Sequence, residues 1–213
     1  TTATQRDVTR LSEADGRDLL RAVGVKGLDT DLDRAVQAWD GHALTLSLLG
    51  TYLAERHGGD IAHLDDIPAP TADEPRYERV HRVLRRYDEH LTDAEREFLT
   101  LFSAFRTPVG LEAFNRVFRG DTVTRGQGDG VTRGEDDAAF AAMVARLTQY
   151  RLLRHIAQNN AYTTHPLVRA HYYTLFTQGS DAADAHTHIK NYYLEVAGRH
   201  TNRPDIRRLA STH

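Results

Sequence analysis

Cysteine is absent from this sequence, which removes disulfides and thiolate metal sites and leaves the redox compartment open, since many periplasmic proteins also lack it. Lysine is nearly missing: among 27 basic residues only Lys26 and Lys190 are not arginine. Long apolar runs are missing as well. The longest, 43–53, is too short and too interrupted to span a bilayer, and no basic-then-apolar leader is seen at Thr1. The chain therefore reads as cytoplasmic, with no membrane partner. An excess of one charge is also lacking, because 27 basic residues stand against 30 acidic ones for a net charge of -3. The whole-chain field thus gives no reason to expect nucleic acid as the main partner. Two catalytic signatures are missing: no Gly-x4-Gly-Lys-Ser/Thr string and no apolar strand ending in paired acids to hold magnesium. This chain is expected not to be an enzyme by itself, and no Ser-His-Asp or paired-carboxylate set has a spacing that separates it from chance.

What is present is helical periodicity. Ser12 precedes Glu13 and Asp15, an N-cap hydroxyl ahead of first-turn acids, and Leu19, Leu20 and Val23 follow at helical spacing to an end near Gly24 or Gly27. Leu28, Leu32, Ala35, Val36 and Trp39 mark a second helix, broken at Asp40-Gly41. Leu44, Leu48, Leu49, Tyr52 and Leu53 mark a third, which runs out at His57-Gly58-Gly59. After Pro68-Ala69-Pro70, a basic helix spans Arg76 to Tyr87, with Tyr77, Val80, Val83, Leu84 and Tyr87 on one face and Arg79, Arg82, Arg85 and Arg86 largely on the others. Those arginines suggest a solvated face or an interdomain ion-pair surface. Leu91-Thr92-Asp93-Ala94-Glu95 is a capping box that opens a new core of Phe98, Leu99, Leu101, Phe102 and Phe105.

A second helix of that core covers Leu111 to Phe118. The glycine-rich stretch 119–135 then has hardly an apolar residue and is expected to be a mobile insertion. Asp136-Asp137 cap a helix carrying Phe140, Met143, Val144 and Leu147. Leu152 to Ala157, a Gln158-Asn159-Asn160 turn and Ala161 to Thr164 follow as a β-hairpin. Three helices and a two-stranded wing make a winged helix. Pro166 then sits at a favoured N1 position of a helix containing Leu167, Val168, Tyr172, Leu175 and Phe176. A last helix from Ala185 to Val196 and a Pro204-led fragment look like the start of a helical repeat array. The expected fold class is all-α, mainly helical: a helical bundle domain at 1–90, a winged helix with a small hairpin wing at 91–179, and a linker with the first TPR-like repeat helices at 180–213.

Gly41-His42-Ala43-Leu44-Thr45-Leu46, followed downstream by Tyr162-Thr163-Thr164-His165-Pro166-Leu167-Val168-Arg169, resembles the bacterial STAND NTPases, relatives of the apoptosome adaptors and plant NLR proteins. The first string is similar to the Gly-x-Pro-Leu motif of their helical domain and the second to the winged-helix histidine of the Met-His-Asp region. The resemblance covers essentially the whole chain. It implies that adenine packs against Gly41, His42, Ala43 and Leu44, and that His165 touches the β-phosphate of ADP and holds the protein closed. Ala43 stands where the apoptosome and plant proteins have proline. Pro166 and Leu167 follow the histidine in place of the trio, so only His165 is carried over from it. The resemblance further implies ADP or ATP bound jointly with an upstream P-loop NTPase domain of the same polypeptide, homo-oligomerisation on activation, and a protein trigger sensed through C-terminal repeats. Signalling, in antiphage immunity or programmed cell death, or else transcriptional control, is the implied setting.

The residues carry their own reading of His165. A helix with Pro166 at N1 presents the amides of Leu167 and Val168 and its positive dipole end, a seat for phosphate, while a plain capping role for the histidine stands beside it. Other candidates are weaker. Gly126, Gly128 and Gly130 lack a following Lys-Ser or Lys-Thr. His186 and His188 are the closest histidine pair, but two positions apart on a helix they point roughly 200° away from each other, and no metal site is expected. Direct DNA reading by the winged helix is the rival class. Its third helix leads with Asp136 and Asp137, which would meet phosphates unfavourably, so nucleic acid is not expected as a partner.

Overall fold

A computed structural model describes residues 10–71, 75–118, 132–179 and 182–201, and these are mainly helical, with one two-stranded sheet. Helix α1 (Glu13–Ala22) begins where Ser12 accepts a hydrogen bond from the Asp15 amide, satisfying one of the orphan donors of the first turn. Helices α2 (Asp29–Ala38) and α3 (Ala43–His57) follow. Leu20, Leu32, Val36, Trp39, Leu46, Leu49 and Leu53 are all buried between them. Helix α4 (Arg76–Asp88) lies against α3 and buries Val80, Val83, Leu84 and Tyr87. The Tyr87 hydroxyl donates to the Leu48 carbonyl at 2.9 Å, which resolves the polar tip of a buried phenol.

The capping box forms as expected at α5 (Asp93–Phe102): Thr92 accepts from the Glu95 amide while Glu95 accepts from the Thr92 amide. Helices α6 (Leu111–Phe118) and α7 (Thr132–Gln149) complete a trio around an aromatic centre. Phe98 lies 4.6 Å from Phe114, ring centroid to centroid, and Phe140 packs against both. Strands β1 (Arg154–Ile156) and β2 (Ala161–Thr163) pair antiparallel with Ile156 opposite Ala161. Between α5 and α6, Val109 exchanges both backbone hydrogen bonds with Tyr162, adding a one-residue third rung to the wing. Helix α8 (Pro166–Gln178) returns across α4 and α5, and α9 (Ala182–Thr201) packs on α6 and α8. The buried side chains form one connected cluster from Leu20 to Ile189.

Four local expectations are corrected. Helix α7 starts at Thr132, so Asp136 and Asp137 lie inside it instead of capping it. Once the Phe140, Val144 and Leu147 stripe nucleates the helix, each further turn toward the N-terminus costs little. The expected insertion 119–135 otherwise falls outside the described residues up to 131, as does the Pro204 fragment. The hairpin strands are shorter than expected, because Leu152 and Leu153 turn into the core before pairing can begin. Between the strands, residues 157–159 form a 3-10 turn closed by Asn160 in the left-handed region. Arg79 is not on a solvated face. It is 8% exposed and pairs with Asp40 of the α2–α3 turn at 3.4 Å, within the first helical group. Finally, α9 begins at Ala182, ahead of the expected Ala185.

Candidate functional site

The α2–α3 turn is built on backbone that only a few residues tolerate. Asp40 and Gly41 both have positive φ, 60° and 58°. The Gly41 amide closes on the Val36 carbonyl at 2.9 Å and its carbonyl accepts from the Leu11 amide at 2.9 Å. A Cβ at Gly41 would stand 2.5 Å from the Leu11 carbonyl oxygen, so glycine is required both by the left-handed conformation and by the close approach. Asp40 is locked by Arg10 and Arg79. His42, at the N-cap of α3, places Nδ1 2.6 Å from the Thr45 hydroxyl. The residues of the first motif are therefore held rigidly, with Gly41 buried and Ala43 exposed.

His165 occupies the N-cap of α8, and its Nδ1 accepts a hydrogen bond from the Leu167 amide at 3.2 Å. An accepting Nδ1 carries no proton, so the neutral ring has its N–H at Nε2. Burial pushes the His165 pKa below its ordinary value, and the nearby Arg154 guanidinium pushes it the same way. The ring thus stays neutral at pH 7 and offers one donor. The Leu167 amide, read from the sequence as available to a ligand, is used by the ring.

A cleft of about 910 Å³ brings part of the two motifs together. Leu44 and Ser47 of α3 form one wall, and Thr164, His165 and Pro166 at the start of α8 form another. Both helices present their N-terminal turns to it, so both dipoles add positive potential there. Gly41, His42 and Ala43 do not line the cleft; of the five residues the resemblance singled out, it gathers Leu44 and His165.

The cleft also carries a cluster of arginines that no motif in the sequence marks. Arg106, Arg151, Arg154 and Arg169 line it along with His155, and no carboxylate does. Among the described residues, none of the four guanidiniums is in an ion pair. That is unusual in a chain whose other arginines are largely matched, as Arg17 is with Asp33, Arg86 with Glu89 and Arg96 with Asp93. Guanidiniums grouped around a concave surface with no counter-charge could hold an anion, because the planar fork suits phosphate oxygens in pairs. Arg169 lies one helical turn beyond His165 and could have been found from that spacing. Arg106, from the loop after α5, could not.

A second polar cluster joins α4 to α8. His81 and His171 face each other with Nδ1 atoms 2.9 Å apart. His171 Nε2 lies 2.7 Å from one Asp88 oxygen, and the Tyr172 hydroxyl donates to the other at 3.0 Å. No sequence spacing pairs positions so far apart in the chain.

Comparison of the sequence with protein-family models and with curated proteins finds no match.

Proposed function

We propose that this chain is the regulatory helical and winged-helix portion of a STAND-type signalling ATPase, and that its arginine-lined cleft receives the phosphate end of a nucleoside diphosphate presented by an upstream P-loop domain. The observation that carries the reading is the convergence in one cleft of Leu44 and His165, one residue from each motif, with four guanidiniums and no carboxylate. A neutral His165 suits this role: its Nε2–H donates to a phosphate oxygen with no proton to be gained or lost. The arginines supply the charge. ADP would then bridge the ATPase domain to the winged helix and favour the closed, inactive arrangement. ATP shifts the balance only if its contacts with this cleft differ from those of ADP, as linkage requires. Release would expose a surface for homo-oligomerisation, with a protein trigger acting through helical repeats beyond α9. In this role the chain itself does no chemistry.

The test uses the polypeptide that carries the upstream domain. His165→Ala and Arg154→Ala should each speed ADP release and raise the oligomeric fraction. Unchanged ADP affinity in both, with an unchanged monomer, removes the reading.

One observation favours a second reading. Arg151, Arg154 and His155 sit at the base of the wing, where a winged helix touches nucleic-acid backbone. A mobility-shift titration of this chain at two salt concentrations separates the two. Retention of duplex DNA that falls steeply with salt supports the rival, and no retention at low salt removes it.

A further inference from the structure

On the rim of the helical domain, away from the arginine cleft, His57, His63 and Asp66 each offer one ligand atom, and the three atoms lie within 4.8 Å of one another. Three features of the chain put them there. Gly58 and Gly59, with φ of 61° and 88°, reverse the chain immediately after α3, which ends at His57. The return is then pinned against the α1–α2 connection: the Lys26 amide donates to the Gly59 carbonyl and the Ile61 amide to the Lys26 carbonyl. Residues 61–66 follow as a 3-10 helix, in which positions three apart eclipse each other, so His63 and Asp66 share one face. His63 Nδ1 lies 2.9 Å from an Asp66 oxygen, and the His57 and His63 rings stack at 4.2 Å with planes 21° apart.

An independent observation points to a ligand. His57 Nε2 is buried and has no hydrogen-bond partner. A buried ring nitrogen left unsatisfied calls for an explanation, and a bound ion is one.

We propose that His57, His63 and Asp66 form a binding site for a divalent transition-metal ion, with Zn²⁺ the best match. Two imidazoles and a carboxylate favour zinc and its neighbours over magnesium or calcium, which prefer all-oxygen shells. Three protein ligands leave a fourth tetrahedral position for water or a group from a partner. Ligand atoms about 2.0–2.1 Å from zinc stand roughly 3.3 Å apart, so binding draws the cluster in from its present spread of up to 4.8 Å and turns one of the two stacked imidazoles until both in-plane lone pairs meet the ion. The site would tie the 3-10 helix to the end of α3.

The experiment is Zn²⁺ titration of the chelator-treated protein by calorimetry, repeated with Co²⁺ for its visible absorption and accompanied by a thermal melt. Wild type should bind one tight equivalent and melt at higher temperature with zinc than without it. His63→Ala and Asp66→Asn are the informative variants, because those side chains are 46% and 61% exposed, and a metal-free melt like that of wild type checks that each still folds. Each should weaken that equivalent more than ~100-fold, beyond what loss of an outer-shell partner costs. The paired change His186→Ala with His188→Ala should leave it unaltered. Absence of a tight equivalent in wild type, unchanged binding in His63→Ala and Asp66→Asn, or loss of binding in the α9 double variant would each overturn the proposal.

Discussion

Gly41 shows how much of a motif's chemistry is backbone chemistry. Its positive φ and the 2.5 Å approach of a would-be Cβ to the Leu11 carbonyl both forbid a side chain. Gly41→Ala should therefore lower the urea midpoint by the equivalent of about 1–3 kcal/mol, the range for strain at a left-handed position. A midpoint within error of wild type would mean that the turn relaxes freely and does not pin α3. Arg79 is the complementary case. On a helical wheel it belongs with the other arginines of α4, yet it is buried against Asp40. That partner comes from a turn distant in sequence, so periodicity cannot show it. Its Nε has no hydrogen-bond partner. Arg79→Met, which keeps the stem and removes the buried charge, should cost less stability than Asp40→Ala, which leaves two guanidiniums without their carboxylate. Paired denaturation curves test the order.

At the scale of the element, what could be read was what is decided locally. Helices α1, α3 and α5 lie where their caps and breaks put them, because Ser12, the Asp40-Gly41 break and the Thr92 box act within one turn, whereas Leu28 ends up as the exposed N-cap of α2 and not in its apolar stripe. The capping box has a further role that its spacing does not reveal. Glu95 is 2% exposed, and besides closing the box it meets Arg146 of α7 at 3.3 Å. Thr92→Ala should cost about 0.5–2 kcal/mol, the ordinary value of a cap. Glu95→Ala should cost more, since it opens the box and also removes the α7 contact; equal losses in thermal denaturation would reduce Glu95 to a cap alone. The elements that differ from their local pattern are those set by contacts between distant segments. Leu152 and Leu153 are drawn into the core, which shortens the wing, and α7 extends past its apparent cap at Asp136. The site divides the same way. Leu44 and His165 came from short motifs, whereas the guanidiniums around them arrive from the α5–α6 loop, the wing and α8, and only folding brings them together.

On the scale of the whole molecule, the α4–α8 seam couples the N-terminal helices to the segment that carries His165. The facing Nδ1 atoms of His81 and His171 need one ring to donate and the other to accept, so a proton on both breaks the contact. Burial lowers the His81 pKa, and the neighbouring His171 lowers it further; Glu78 opposes them and Arg85 reinforces them. His90, against Tyr52 and Arg56, and His165 are shifted in the same direction, chiefly by burial. The unfolded chain, with ordinary histidines near 6.5, then binds protons more readily than the folded one, and stability must rise with pH across this range. The contribution is complete above 6.5, is lost as pH falls through that value, and stops falling once pH is below the depressed folded values. Urea midpoints should accordingly be flat from pH 8 to 7 and drop as pH falls below the ordinary histidine value. His81→Asn, which can still hydrogen bond but cannot become an imidazolium in this range, should flatten part of that drop while leaving the pH 8 midpoint nearly unchanged. A drop of undiminished size in His81→Asn would assign the acid sensitivity to His90 and His165 and leave the seam a neutral clamp. A flattened drop would mean that acid loosens the same contact through which α4 positions α8 and, at its tip, the ring facing the cleft.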